Sequence, residues 1–170
     1  MASEKVTFGI DEFRAAALEC PLPQALDLIG EKWAFLILRG AFNDLRHFEE
    51  FQAGLGIARN ILSDRLAKMV AGGILARNPD PHDRRKVSYT LTEKGRGLLP
   101  VLVALRQWGE QWAEGSSRIL LADRRDGKPI RKICIHAHDG RELSLEEMVW
   151  LDRETGATCG RVAEQLEVAA

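Results

Sequence analysis

"LGIARNILSDRLAKMVAGGILARNPDPHDRRKVSYTLTEKG", residues 55–95, decides the fold, because its hydrophobic period changes twice within one stretch. From Ile57 the apolar residues Ile61, Leu62, Leu66, Met69 and Val70 recur at helical spacing, and Arg59, Asn60, Ser63, Asp64 and Lys68 fall on the other side. Gly72-Gly73 stops that helix. "GILARN" and "RKVSYTL" then read as two strands. Val87, Tyr89 and Leu91 alternate with Lys86, Ser88 and Thr90 in the second, the pattern of a half-buried strand. Between the strands, "PDPHDRR" supplies prolines and aspartates suited to a turn, with a basic tip.

Working back toward the N-terminus, "LRHFEEFQAG" predicts a short helix with Leu45, Phe48 and Phe51 three apart, ended by Gly54. A tight turn around Gly54–Gly56 joins it to the longer helix. A short helix, a turn and a second helix with a polar outer face make a helix-turn-helix. A hairpin with a basic loop directly after it makes a winged helix. Further upstream, "CPLPQALDLIGEKW" starts a helix where proline is tolerated in the first turn. After Gly30, "EKWAFLILRGAF" is apolar nearly all round, the mark of a buried helix.

Working forward, Thr92 caps one long helix, "TEKGRGLLPVLVALRQWGEQWAEG". In it Val101, Leu105, Trp108 and Trp112 are spaced by 4, 3 and 4, close to a coiled-coil seam. The expected use of that stripe is a dimer interface, and a core-facing helix is the alternative. Residues 117–170 read as a small β-rich appendage. Two Asp-Gly pairs flanked by strand-like segments predict hairpins, and Ser144 with Glu147 has capping-box spacing ahead of a closing helix or strand. The expected class is α+β, mainly α: a winged helix-turn-helix with a long C-terminal dimerisation helix and that appendage. The boundaries fall at 1–19 for an N-terminal arm, 20–116 for the DNA-binding domain and 117–170 for the extension.

The net charge of −1 conceals a central basic third. Residues 59–96 hold 9 basic and 4 acidic side chains, whereas residues 1–58 hold 5 and 9. Such a local excess suits a polyanionic partner. Recognition-helix docking brings residues near the helix start to base edges, which selects Arg59, Asn60, Ser63 and Asp64, with Arg46 for the backbone and Arg65 for either phosphate or intramolecular contacts. His82, Arg84, Arg85 and Lys86 form the wing tip. The expected partners are double-stranded operator DNA and a second copy, with a small-molecule effector as a further candidate. A winged helix used only for protein contact is the competing reading.

Other chemistries find little purchase. G-x-S-x-G, P-loop, G-x-G-x-x-G and H-E-x-x-H motifs are all missing, so no enzyme and no cofactor are expected. Three widely spaced cysteines and no C-x-x-C suggest no disulfide framework and a reducing compartment. The longest apolar runs are too short for a membrane span, and the N-terminus lacks a signal-peptide layout, so a cytoplasmic location is expected. Cys134, His136 and His138 alternate and would share a strand face, with Cys159 as a fourth donor, but the spacing is nonstandard and no metal is expected. The same alternation would turn Ile133, Ile135 and Ala137 inward.

"CPLPQALDLIGEKWAFLILRGAF", "RHFEEF", "GIARNILSDRLAKMVAGGILAR" and "VSYTLTEKGRGLLPVLVALRQWGEQW" together resemble the HxlR-type winged helix-turn-helix transcriptional regulators over roughly residues 18–115. The wing "PHDRRKVSYTLTEKG" looks more like that of MarR-type regulators, a resemblance that implies an Asp83–Arg85 pair stiffening the loop. The resemblance implies operator binding as a dimer. It also suggests oxidant or electrophile sensing through Cys20, which sits just before the proline-initiated helix, where a helix N-terminus favours thiolate. A packed, unreactive Cys20 is the other reading.

Overall fold

The computed structural model describes residues 14, 17–83, 86–112, 117–151, 153–154, 156 and 158–159. The chain divides into two units, one of Leu22–Ile133 and one of Met1–Pro21 with Cys134–Ala170. The first unit therefore takes in residues 117–133, which the sequence assigns to the appendage. Among the described residues, no helix is long and apolar enough to cross a membrane.

Helix α1 spans Pro21–Ile29 and α2 Lys32–Phe42. The third helix, α3, spans Phe48–Leu55 and α4 spans Arg59–Ala71. The expected stop of α3 at Gly54 moves two residues on. Gly56 has φ +61° and closes the helix through its N–H to the Gln52 carbonyl. A left-handed cap needs that φ, and Gly adopts it without Cβ strain. Gly73, at φ +69°, turns the chain out of α4 into β1 in the same way.

The core gathers Ile29, Ile37, Leu38, Phe51, Ile57, Leu62, Leu66, Met69, Ile74 and Leu75. Helix α2 lies at its centre, packed against α3, α4 and strand β2. The predicted stripe of α4 is buried at Leu62, Leu66 and Met69 but exposed at Ile61. Strands β1 (Leu75–Pro79) and β2 (Val87–Leu91) pair antiparallel, with Leu75 opposite Leu91 and Arg77 opposite Tyr89. Every residue of β2 is half-buried, so the expected in–out alternation is blurred. The cause is a third strand edge: His47 bridges Ser88, and the Tyr89 N–H donates to the Arg46 carbonyl at 2.7 Å. The outer face of β2 is thereby partly covered.

Thr92 caps the next helix as expected, its Oγ1 accepting from the Gly95 N–H at 3.0 Å. That helix is not continuous. A single turn, α5 (Glu93–Arg96), precedes α6 (Leu99–Trp112). Pro100 has no N–H to return to the Arg96 carbonyl, so the ladder is cut where α6 begins. Helix α6 packs on α2 and buries Val103.

The first Asp-Gly hairpin is tied along α6. The Gln107 side chain donates through Nε2 to the Arg131 carbonyl at 3.0 Å and accepts from the Ile133 N–H through Oε1 at 2.8 Å. Arg106 donates to the Ile119 carbonyl. The pairing itself is slight: a single bridge, Ala122 to Pro129, around Gly127 at φ +70°.

The second unit holds the other hairpin, again one bridge, His136 to Glu142, with Gly140 at φ +87°. The Ser144–Glu147 box forms, the Ser144 N–H donating to Glu147 Oε2 at 2.8 Å, but it caps only a 3-10 turn, Leu145–Glu147. Two short strands follow, β3 (Trp150–Leu151) and β4 (Thr158–Cys159). Ile133 and Ile135 are exposed and Cys134 half-buried, the reverse of the expected alternation, whereas Ala137 is half-buried and His136 and His138 are exposed, in line with it. With one bridge on each side, no strand exists there to impose an inward face.

Candidate nucleic-acid interface

The start of α4 has no side-chain cap, and its first turn has no acid. Its N–H groups and dipole therefore face outward unneutralised, as an anion-facing helix end requires. Arg59, Asn60, Ser63 and Asp64 all lie exposed on this outer face. The Arg59 guanidinium sits 4.8 Å from the centroid of the Phe48 ring, so stacking on α3 steers it. Asp64 is held 3.4 Å from Lys68, one turn on.

Arg65 lies 3.8 Å from Asp64 but is less exposed than these four. Its side chain is only 19% exposed, and its guanidinium pairs with Glu31, the residue preceding α2. Its Nε is buried with no hydrogen-bond partner among the described residues. The geometry is that of a bolt between α4 and α2, the intramolecular one of the two roles the sequence leaves open for Arg65. In an α-helix the sixty-fifth position follows Leu62 by three and precedes Met69 by four, which points it toward the core side. That signal is in the sequence, but the charge of arginine hides it.

Arg46 is exposed at the head of α3. Its Nη2 reaches Asp44 Oδ1 at 3.0 Å, and its carbonyl anchors β2. Glu50 Oε2 accepts from the Arg46 and His47 N–H groups at 2.7 and 2.9 Å, and those bonds hold its carboxyl below the usual range. His47 Nδ1 donates to the Val87 carbonyl at 3.0 Å. The backbone carbonyl can only accept, so the proton sits on Nδ1. His47 therefore joins the head of α3 to the base of the wing. Sequence reading passes over it, although a residue three before Glu50 at a helix start is capping-box spacing.

The wing loop is organised by Asp80. Its Oδ1 accepts from the His82 N–H at 2.7 Å and the Asp83 N–H at 3.0 Å. Its own N–H donates to the Lys86 carbonyl at 2.9 Å, and the Lys86 N–H returns to the Asp83 carbonyl at 2.8 Å. The backbone donors, with Lys86 nearby, lower the Asp80 carboxyl below its ordinary range. His82 and Lys86 are exposed. Arg84, Arg85 and any Asp83–Arg85 pair lie outside the described residues.

Elsewhere, Val101, Leu105, Trp108 and Trp112 are exposed at 47, 48, 63 and 67%, an apolar stripe open along α6. Leu22 and Leu26 of α1 are likewise open. Cys20 is half-buried immediately ahead of α1. Among the described residues no three His, Cys, Asp or Glu side chains are placed to hold a metal.

The HxlR-like helix-turn-helix family model matches residues 28–117. An uncharacterized HTH-type transcriptional regulator of Mycobacterium tuberculosis (strain ATCC 25618 / H37Rv) is 40% identical over 138 residues, covering 74% of this chain and 80% of the relative. The crystal structure of PA1607, a candidate transcription factor, is similar with a TM-score of 0.73 and 41% identity, covering 79% of this chain and 95% of its own. The redox regulator HypR in its reduced form is similar with a TM-score of 0.51 and 33% identity, covering 56% of this chain and 95% of its own. The helix-turn-helix, the wing and these likenesses converge: this chain belongs to the HxlR-like helix-turn-helix family of transcriptional regulators.

Proposed function

We propose that the protein regulates transcription as a homodimer that reads operator DNA sequence-specifically, with α4 in the major groove and the wing on the backbone or minor groove. The observation that carries this reading is the open N-terminal half of α4, where Arg59, Asn60, Ser63 and Asp64 face solvent while Leu62, Leu66 and Met69 lock the opposite face into the core. Asn60 is the residue assigned to base reading, since a carboxamide pairs bidentately with adenine. His82 and Lys86, with Arg84 and Arg85, are assigned to phosphate, and Arg46 flanks them.

The second copy is assigned to the α6 stripe, because two tryptophans that are each more than 60% exposed are costly to leave in water. Sedimentation at operator-binding concentrations tests this directly. Twice the 19.0 kDa chain mass is expected, and Trp108→Ala should shift the protein toward monomer and weaken operator binding together. A monomer that binds the operator with full affinity would overturn the dimer assignment.

Cys20 is assigned a thiol-sensing role, supported by its position ahead of α1 and by the likeness to HypR, a redox regulator. Diamide should alter operator affinity in wild type and leave Cys20→Ser unchanged. An identical response in both would reduce Cys20 to packing.

A further inference from the structure

Between the outer face of α4 and the sheet of the wing runs an open groove of about 430 Å³, lined by Ser63, Ala67, Val70, Ala71, Arg77 and Tyr89. Its chemistry is one-sided. Arg77 brings its only charge, Ser63 and Tyr89 bring hydroxyl donors, and no carboxylate lines it. Ala67 and Ala71 are small and exposed, so a ligand chain can approach the α4 backbone closely.

Arg77 and Tyr89 are held side by side by the strand register, directly opposite one another on β1 and β2. Cross-strand partners project from the same face of a sheet. Six other cations of this unit are occupied: Arg46 by Asp44, Arg65 by Glu31, Lys68 by Asp64, Lys94 by the Gly72 carbonyl, Arg96 by the Leu91 carbonyl and Arg106 by Glu110. The Arg77 guanidinium is exposed and has no such partner among the described residues. A fork of N–H donors left unpaired beside two hydroxyls is the arrangement that takes a phosphate bidentately.

We infer that this groove is a phosphodiester seat: Arg77 and the Tyr89 hydroxyl grip one backbone phosphate of the DNA strand that passes between α4 and the wing. The inference rests on the proposed DNA-binding function and adds a contact to it. The seat fixes how deeply α4 enters the major groove, because it holds the strand against the small residues in the C-terminal half of that helix. It carries no sequence code.

The test is a salt series from 50 to 200 mM on an operator duplex and a scrambled duplex, with wild type, Arg77→Ala, Arg77→Lys and Tyr89→Phe. Each phosphate contact contributes roughly 0.9 to the slope of log affinity against log salt. Arg77→Ala should flatten the slope by about 0.9 per subunit on both duplexes, so wild type should lose about 3.5-fold more affinity per subunit across the range. Arg77→Lys keeps the charge and should keep the slope. Tyr89→Phe retains the ring that packs on the core and removes a neutral donor. It should weaken both duplexes by the same factor with the slope unchanged. A wild-type slope in Arg77→Ala, while wild type binds duplex steeply, would overturn the phosphate seat and leave the wider DNA-binding reading standing. A wild-type protein that retains neither duplex at 50 mM would overturn both.

Discussion

Gly95 is the point at which α4, the wing and α5 are locked together, and replacing it with alanine should separate them. It is buried in the single turn of α5. A Cβ built there falls inside the van der Waals shell of the Ile74 carbonyl oxygen and lies 3.2 Å from its carbon and 3.1 Å from Leu91 Cδ2. Backbone cannot yield as a flexible side chain can. The same carbonyl accepts the Thr92 N–H at 3.1 Å, while Thr92 Oγ1 donates to the Gly73 carbonyl at 2.6 Å. Moving α5 away to relieve the contact therefore pulls the Thr92 cap off the end of α4. Overpacking costs roughly 1–3 kcal/mol and the loss of one such hydrogen bond about 1 kcal/mol, so Gly95→Ala should cost about 2–4 kcal/mol. At about 4 °C per kcal/mol for a domain of this size, Tm should fall by about 8–16 °C in a thermal melt followed by circular dichroism. A melt within about 2 °C of wild type, where the shift expected is several-fold larger, would refute the reasoning.

Gly109→Ala is the opposite case: nothing lies within 4 Å of its Cβ, and it sits inside α6, so the change should raise stability by about 0.5–1 kcal/mol in urea melts. Asp80→Ala should free the wing, seen as faster amide exchange at His82 and Asp83, whereas Asp80→Asn, which keeps an acceptor, should retain part of the protection. The Asp80 carboxyl is lowered in the folded protein, so its contribution is complete above the ordinary aspartate range and is lost as pH falls through the folded value. Exchange at those two amides, corrected for the intrinsic pH dependence, should accelerate only in that acidic window. Gln107→Ala removes both clasps on residues 131 and 133 and should expose the first hairpin to limited proteolysis ahead of the helix-turn-helix; an unchanged cleavage order would count against it.

The helix-turn-helix and the wing are legible in residues 55–95 because two periods, 3.6 and 2, meet at Gly72-Gly73, and each period follows from which face is buried. Thr92 is legible for the same local reason, since a cap depends on neighbours three residues away. What the sequence hides depends on distant partners. His47 joins the wing through Val87 and Ser88, forty residues on, and no local pattern announces that pairing. Arg65 looks like a DNA contact from its charge; its helical position already points inward, but its partner Glu31 lies more than thirty residues away. The break before α6 was written in Pro100, but a strong apolar run across it favoured one continuous helix. In the extension, Asp126-Gly127 and Asp139-Gly140 correctly mark turns, yet each closes a single bridge, so strand alternation fails to predict which side chains are covered.

The central claim is that the open face of α4 reads base sequence. Selection of bound duplexes from a random DNA pool by the purified protein, repeated with Asn60→Ala, tests it most directly. Wild type should enrich a two-fold-related pair of half-sites about 10 bp apart, or a multiple of that spacing. Asn60→Ala should lose about 1–3 kcal/mol at one position of each half-site while keeping its affinity for unrelated sequence. A wild-type pool that remains random, or an Asn60→Ala pool that enriches the same site to the same degree, would contradict the account.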